Sequence, residues 1–401
     1  MKHTLRDGFT TGTAASAAAG AAARALLEMP PPDSVSVALP PFVHRGNAVE
    51  PENDARIVIP IAESGPCPTA RQAQSVFFAS VIKDGGDDPD ATHGARLTAM
   101  ASLTPFVGPE VSLPAVIDYF SVPVWLYAGK GIGRVTLPGL PVPPGEAAIN
   151  PVPRKQIALA VNEAVPHGNR PKPSAIHVLL QVDDGEERAR RTLNPRLGIV
   201  GGISILGTQG IVKPYSHASW QAAIRQGMDV ASALGLGELL LSTGRRSERL
   251  GFGLYPDLPP QAGVQVADYA AFALGEAARH SFSRLIWLCF PGKLLKMAQG
   301  LGWTHAQSAP ADIALVAALC RESGGADLAE SVAAMPTAAG AFAVMAQKPQ
   351  VHASVLRSLA EQALATLAGF LKDAGDAGRT ALRLHIFDPD ERLLLTLERA
   401  G

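Results

Sequence analysis

The chain has 401 residues, 47% apolar and 18% charged, which is long enough for two or three ordinary domains and apolar enough to bury a real core. With 35 Lys and Arg against 36 Asp and Glu, its net charge of −1 offers no bulk attraction to nucleic acid or to an anionic membrane, so any basic site must be local. Cys67, Cys289 and Cys320 stand far apart and in no CxxC spacing, which argues against a disulfide framework and a thiolate zinc site and fits a reducing cytoplasm.

Lys2 and Arg6 precede the alanine-rich run TAASAAAGAAARALL. Alanine is weakly apolar and Arg24 interrupts the run, so a helix of high intrinsic propensity is expected here rather than a secretory leader. At its start Thr10, Thr11, Gly12 and Thr13 bring hydroxyls and free amides to a positive helix end, a place for an N-cap and also for an anion. Strand-like runs follow at 34–39, 55–61, 74–82, 124–128 and 175–182. Between them KDGGDDPDATHG gathers Lys83, Asp84, Asp87, Asp88, Asp90 and His93 in one glycine-rich loop. Its spacing is not that of an EF-hand, so no metal is expected, and acid-base work competes with a merely polar turn. The stretch PGLPVPPGEAAINPVPR, 138–154, reads as an ordered loop because its prolines exclude a helix and an interior strand. After the run at 175–182, Asp-Gly predicts a hairpin that returns through RARRTL and closes an α+β domain over 1–194.

From residue 195 a strand, a loop and a helix alternate three times: LGIVGGISILG before a helix near 217–233, GELLLST before a helix near 264–279, and RLIWLCF before a helix from about 293. That rhythm predicts a doubly wound, mostly parallel α/β domain over 195–401. Helices fill most of 309–373, and ALRLHIF and RLLLTL form an edge hairpin. Ligands of such sheets sit at the carboxyl ends of the strands. No G-x-G-x-x-G is present, so the glycines of Asn194 to Trp220 suit an adenosine and an amino-acid group better than a pyrophosphate, with close strand packing as the competing explanation. In STGRRSER, Arg245 and Arg246 could clasp a 2′-phosphate or carboxylates. In FPGKLLKMAQG, Lys293 stands at a helix start, a seat for an anion. No run is long enough to span a bilayer.

Five segments, LRDGFTTGTAASAAAGAA, KDGGDDPDATHGA, GKGIGRVTLPGLPVPPGEAAINPVPR, NPRLGIVGGISILGTQGIVKPYS and GKLLKMAQGLGWTHAQSAPAD, resemble in order those of the cobalt-precorrin-5B C(1)-methyltransferases of corrin-ring assembly. Ala14 stands where a cysteine is expected in that pattern, which leaves no thiol there. The resemblance implies transfer of a methyl group from S-adenosylmethionine to C-1 of a cobalt-bearing tetrapyrrole, with cobalt only as part of the substrate. It places the methyl donor on Gly201, Gly202, Ser204, Gly207, Thr208 and Gly210. The substrate falls to Thr10, Thr11, Gly12, Thr13, Lys130, Arg134, Arg154, Lys293, Thr304 and His305. Asp88 and His93 are the first candidates for a general base. Two rival readings are an NADP-dependent oxidoreductase using Arg245 and Arg246, and a corrinoid carrier without catalysis.

Overall fold

The alanine run folds as helix α1 (Thr11–Leu26), in which every residue but Arg24 is buried. Residues 5–30, 32–45, 48–67, 76–166 and 171–401 are described in the computed structural model, and their contacts divide the chain into two units, Met1–Ser216 and His217–Gly401.

In the first unit β1 (Gly8–Phe9) leads into α1. Two hairpin-like pairs follow, β2 (Ser34–Ala38) with β5 (Arg56–Pro60) and, between them, β3 (Phe42–Arg45) with β4 (Ala48–Pro51). A six-stranded sheet is built from β6 (Glu63–Pro66), β7 (Val76–Ile82), β8 (Arg96–Ser102), β9 (Ala115–Ile117), β10 (Val124–Ala128) and β13 (Ile176–Val182), in the order β6-β7-β8-β13-β10-β9. Of the run expected at 74–82, residues 74 and 75 lie outside the described residues. Small side chains let α1 lie close on β7, β8 and helix α2 (Pro151–Asn162): an added Cβ on Gly20 would stand 3.2 Å from the Ala160 carbonyl oxygen.

Two expectations for this unit are corrected. The proline-rich loop ends earlier than 154, because Pro151 opens α2 in the first turn, where a missing N–H breaks no helical bond. The hairpin after β13 does not form. Both edges of β13 are already taken, by β10 in parallel and β8 antiparallel, and Gly185–Ala189 folds instead as the short helix α3.

The glycine-rich stretch also departs from expectation. It is no strand of the parallel sheet but a chain of short pairings inside the first unit. There β14 (Ile199–Val200) pairs antiparallel with β12 (Arg134–Val135), β15 (Gly202–Ile203) parallel with β11 (Gly131–Ile132), and β16 (Ile211–Val212) antiparallel with β1.

The second unit is the layered α/β structure the sequence rhythm predicts. Helix α4 (His217–Ala233) leads to β17 (Glu238–Ser242), and helix α5 (Arg245–Leu254) to β18 (Gly263–Gln265). Then come α6 (Ala270–Ala277), β19 (Arg284–Cys289), α7 (Pro291–Ala298), α8 (Ile313–Glu322), α9 (Ala329–Ala333), α10 (Ala338–Met345) and α11 (Pro349–Asp373). The closing hairpin is β20 (Ala381–Phe387) with β21 (Leu393–Arg399). Strand order is β18-β17-β19-β20-β21, parallel except for the last. Two elements differ from the sequence reading: α5 replaces a loop after β17, and the helix expected from 264 begins at Ala270 because Gly263–Gln265 is a strand. Leu239, Leu241, Trp287, Leu294, Leu359 and Leu367 belong to one buried core, each large aliphatic chain stabilising by roughly 1.5–3 kcal/mol. Since β17 is followed on one side by β18 and on the other by β19, the loops at its carboxyl end diverge, which is the switch point of an open α/β sheet.

Candidate functional site

In the first unit the glycine-rich stretch and the threonines of α1 meet. Thr10 is the N-cap, its Oγ1 accepting from the Thr13 amide at 3.2 Å. The Thr11 hydroxyl accepts from the Leu206 amide at 2.9 Å and faces the Ser204 and Leu206 carbonyl oxygens at 3.2 Å. Gly12 donates its amide to Leu206 and Thr10 to Gly210, each at 3.0 Å, while Thr13 donates its hydroxyl to Gly210 at 2.8 Å. The helix end that the sequence offered to an anion is thus closed by the chain's own backbone.

Most of the glycines serve this closure. A Cβ on Gly202 would stand 2.2 Å from the Gly131 carbonyl oxygen, one on Gly207 2.4 Å from Thr10 Oγ1, and one on Gly210 2.6 Å from Leu39. Ser204 is buried and donates to Asn194. Gly201 is different: its φ of +81° requires glycine, yet nothing lies within 4 Å of the Cβ position. Thr208 and Gln209 are exposed, and their amides have no partner among the described residues.

The acidic loop packs beside this network, with each carboxylate given a separate partner. Asp84 binds the Arg6 guanidinium, and that hydrogen bond holds its pKa down at about 2. Asp87 accepts from the Arg6 amide at 2.7 Å and Asp88 from the Tyr215 amide at 2.9 Å. Asp90 pairs with buried Lys83 and accepts from Thr92; burial alone would raise its pKa, but the lysine charge and these hydrogen bonds lower it. His93 is exposed and its Nδ1 accepts from the Gly85 amide at 3.0 Å, which puts the proton of the neutral ring on Nε2. Of the two candidate bases, Asp88 keeps one oxygen without a partner among the described residues, whereas the lone pair of the neutral His93 ring is taken by the Gly85 amide. Lys130 and Arg134 are exposed and form no ion pair among the described residues, whereas Arg154 is held by the Ile149 carbonyl and Glu146.

In the second unit Lys293 and Thr304 come together at a residue the sequence reading missed, Asp268. Lys293 Nζ binds Asp268 and donates to the Thr304 carbonyl at 3.1 Å. Thr304 donates its hydroxyl to Asp268 at 3.1 Å and its amide to the Asp268 carbonyl at 2.9 Å. Burial lowers the Lys293 pKa to about 8, with the Lys296 charge adding to the shift; the Asp268 carboxylate acts in the opposite sense. Lys296 donates to the His305 carbonyl, and the His305 ring stacks on Trp303 with centroids 5.4 Å apart. Asp268 escaped notice because 264–279 read as continuous helix, which hid a strand end. Arg246, offered as half of a phosphate clasp, is engaged by Glu391 and the Pro389 carbonyl and lies 4.7 Å over the Phe290 ring.

The chain is a mixed α and β protein, and each of its two units carries polar or glycine-bearing loops at strand and helix ends. A family model described as CbiD matches residues 1–214, and one described as CbiD, C-terminal domain, matches residues 303–396. The chain belongs to the CbiD family. It is 47% identical over 355 residues, 88% of this chain and 84% of the relative, to a cobalt-precorrin-5B C(1)-methyltransferase of Nitratidesulfovibrio vulgaris. Relatives of the same name from Geobacillus thermodenitrificans (41% identical, 80% of this chain and 77% of the relative) and Priestia megaterium (37%, 93% and 91%) match as well. A crystal structure of cobalamin biosynthesis protein cbiD from Archaeoglobus fulgidus aligns over 73% of this chain and 79% of that one, with 26% identity and a TM-score of 0.34. Among the described residues no helix is long and apolar enough to cross a membrane.

Proposed function

We propose that this chain methylates C-1 of cobalt-precorrin-5B with S-adenosylmethionine as donor, giving cobalt-precorrin-6A in cobalamin biosynthesis in the cytoplasm. The observation that carries the reading is the 47% identity, across 88% of the chain, to a relative bearing that activity in its name. S-adenosylmethionine supplies an electrophilic methyl group on a sulfonium. The turn at Gly201 and Leu206–Gln209 suits it, because Gly201 leaves open space and the Thr208 and Gln209 amides are free donors for a carboxylate. Lys130 and Arg134 are free cations for the carboxylates of a tetrapyrrole rim. Asp88 is the better placed of the two candidate bases, since a second oxygen stays available for a proton. Thr10, Thr11, Gly12 and Thr13 act in this reading by fixing the turn rather than by touching ligand. Holding nucleophile and methyl in line is the main contribution asked of the protein, worth about 7–11 kcal/mol in ideal cases.

The test is mass spectrometry after incubation with methyl-deuterated S-adenosylmethionine and cobalt-precorrin-5B. The expected product is heavier by one labelled methyl group, with S-adenosylhomocysteine formed in equal amount. Recovery of unchanged tetrapyrrole with a folded protein sinks the reading. NADPH consumption in its place would restore the oxidoreductase alternative, which the engagement of Arg246 disfavours.

A further inference from the structure

The second unit carries a group of aromatic and imidazole side chains that the roles above leave unexplained. His217 opens α4 and is exposed, yet its ring is fixed: Nδ1 lies 2.9 Å from the Tyr269 hydroxyl, the Tyr269 ring meets it edge-on at 5.7 Å, and the Trp303 ring stands 5.2 Å away. Trp303 is 37% exposed, and Trp220, three positions along α4 from His217 and hence on the same helix face, is 41% exposed. A cluster that served packing alone would bury these rings. The Lys293, Asp268 and Thr304 bonds tie the segment holding Trp303 to the segment holding Tyr269, so the arrangement is braced from below. This explains why Lys293 is turned to Asp268 and not left free for a ligand.

An imidazole oriented through one nitrogen, with the other facing outward, is the usual form of a histidine ligand to a metal, and a borderline-soft d-block ion accepts imidazole readily. Flat aromatic faces beside it suit a planar macrocycle. We infer that His217 is an axial ligand to the cobalt of a tetrapyrrole, with Tyr269 as its positioning residue and Trp303 as a stacking surface. In the binding step the proton of the neutral imidazole sits on Nδ1 and is donated to the Tyr269 oxygen. The Nε2 lone pair forms the bond to cobalt, and an axial water leaves. No electron changes hands. The inference rests on the proposed tetrapyrrole substrate and adds the atom that grips it.

The probe is cobyrinic acid reduced to the Co(II) state, mixed with the full-length protein and read by electron paramagnetic resonance. Nitrogen coordination splits each cobalt line into a triplet, which becomes a doublet in protein grown with 15N-histidine. Binding is followed separately by quenching of tryptophan fluorescence. In wild type the triplet and its collapse to a doublet are expected. His217→Gln should lose the splitting and weaken probe binding at least about 10-fold with an unchanged melting temperature, and Tyr269→Phe should keep the splitting but weaken binding by about the same factor. Bound probe without splitting, or splitting that survives in His217→Gln, overturns the inference and leaves the methyltransferase reading standing. No binding of the probe to wild type overturns the inference as well, while the methyltransferase reading falls only if labelled methyl fails to reach cobalt-precorrin-5B.

Discussion

Each unit has its own apolar core, but the loops of the first and the core of the second show two different kinds of closure. The first closes its glycine-rich loops with backbone: two-residue strands, carbonyl and amide partners far apart in sequence, and glycines whose missing Cβ is the condition for contact. The second closes by side chains, burying large aliphatic residues between helices and a sheet. Backbone closure has no tolerance for added atoms, while a side-chain core loses stability in proportion to what is removed. The candidate methyl-donor turn sits on the intolerant kind, so residues there are constrained by fold before any ligand is considered.

Gly202→Val is the sharpest way to break this comparison. Its Cβ would meet the Gly131 carbonyl at 2.2 Å, and a loss above about 4 kcal/mol is expected, seen as an unfolded or aggregated product on expression. Gly244→Ala in the second unit, where nothing lies within 4 Å, should change stability by no more than about 0.5 kcal/mol; equal tolerance at both positions would erase the distinction. Leu294→Ala, in the core of the second unit, should cost about 2–5 kcal/mol by urea unfolding and still fold.

Acid separates the units next. Burial lowers the His385 pKa to about 4, and the Arg383 charge adds to the shift. The folded state therefore refuses a proton that the unfolded state accepts, so the second unit should lose on the order of 3 kcal/mol as pH falls from about 6.5 to about 4. Asp84 in the first unit acts in the same direction but in a lower window: its depressed pKa contributes stability that is present above the unfolded value and goes only as pH falls toward about 2. Urea midpoints at pH 7 and 4.5 should thus move for wild type and much less for His385→Gln; parallel shifts in the two proteins would remove His385 as the cause.

Smaller effects sharpen the picture at the α1 end. Thr11→Val keeps the side chain's shape but deprives the Leu206 amide and the Ser204 and Leu206 carbonyls of their partner, an expected loss of about 1–3 kcal/mol by thermal melting. Stability unchanged within 0.5 kcal/mol, on the scale of about ±0.5 for an ordinary surface change, would mean the loop is held by its backbone bonds alone. Lys130→Ala should leave stability within that same range of about ±0.5 kcal/mol and weaken tetrapyrrole binding roughly 10-fold by calorimetry. Equal affinity removes Lys130 from the site.

Legibility in the sequence follows the same division. The second unit announces itself, since apolar runs of five to seven residues, separated by helices of 3.6-residue period, have one good way to pack, and α4, β17, β19 and the closing hairpin fall where expected. Of its hidden features, α5 reads as a charged loop, and Asp268 lies just beyond a short strand that was absorbed into a helical pattern. In the first unit α1 and the long strands are plain, but the pairings of Ile199–Val212 are not. Strands of two residues have no period to read, and their partners lie as far away as Gly8. The motifs named the family. They did not reveal that most of their glycines and threonines bind one another, because a residue required for close approach and one required for a ligand leave the same mark in a single sequence.

The bond from Leu206 to Thr11 joins residues 195 positions apart. A ribosome adding about 5–20 residues per second leaves α1 without its closing loop for roughly 10–40 s after the helix emerges. In the first part of that interval, until Ser102 has been added, its face toward β7 and β8 also stays uncovered on the nascent chain. A helix of leucine or isoleucine in that position would invite chaperone capture or self-association, whereas alanine exposes little apolar surface per residue while still favouring the helix by itself. The alanine run is thus suited to a helix that must be made early and finished late.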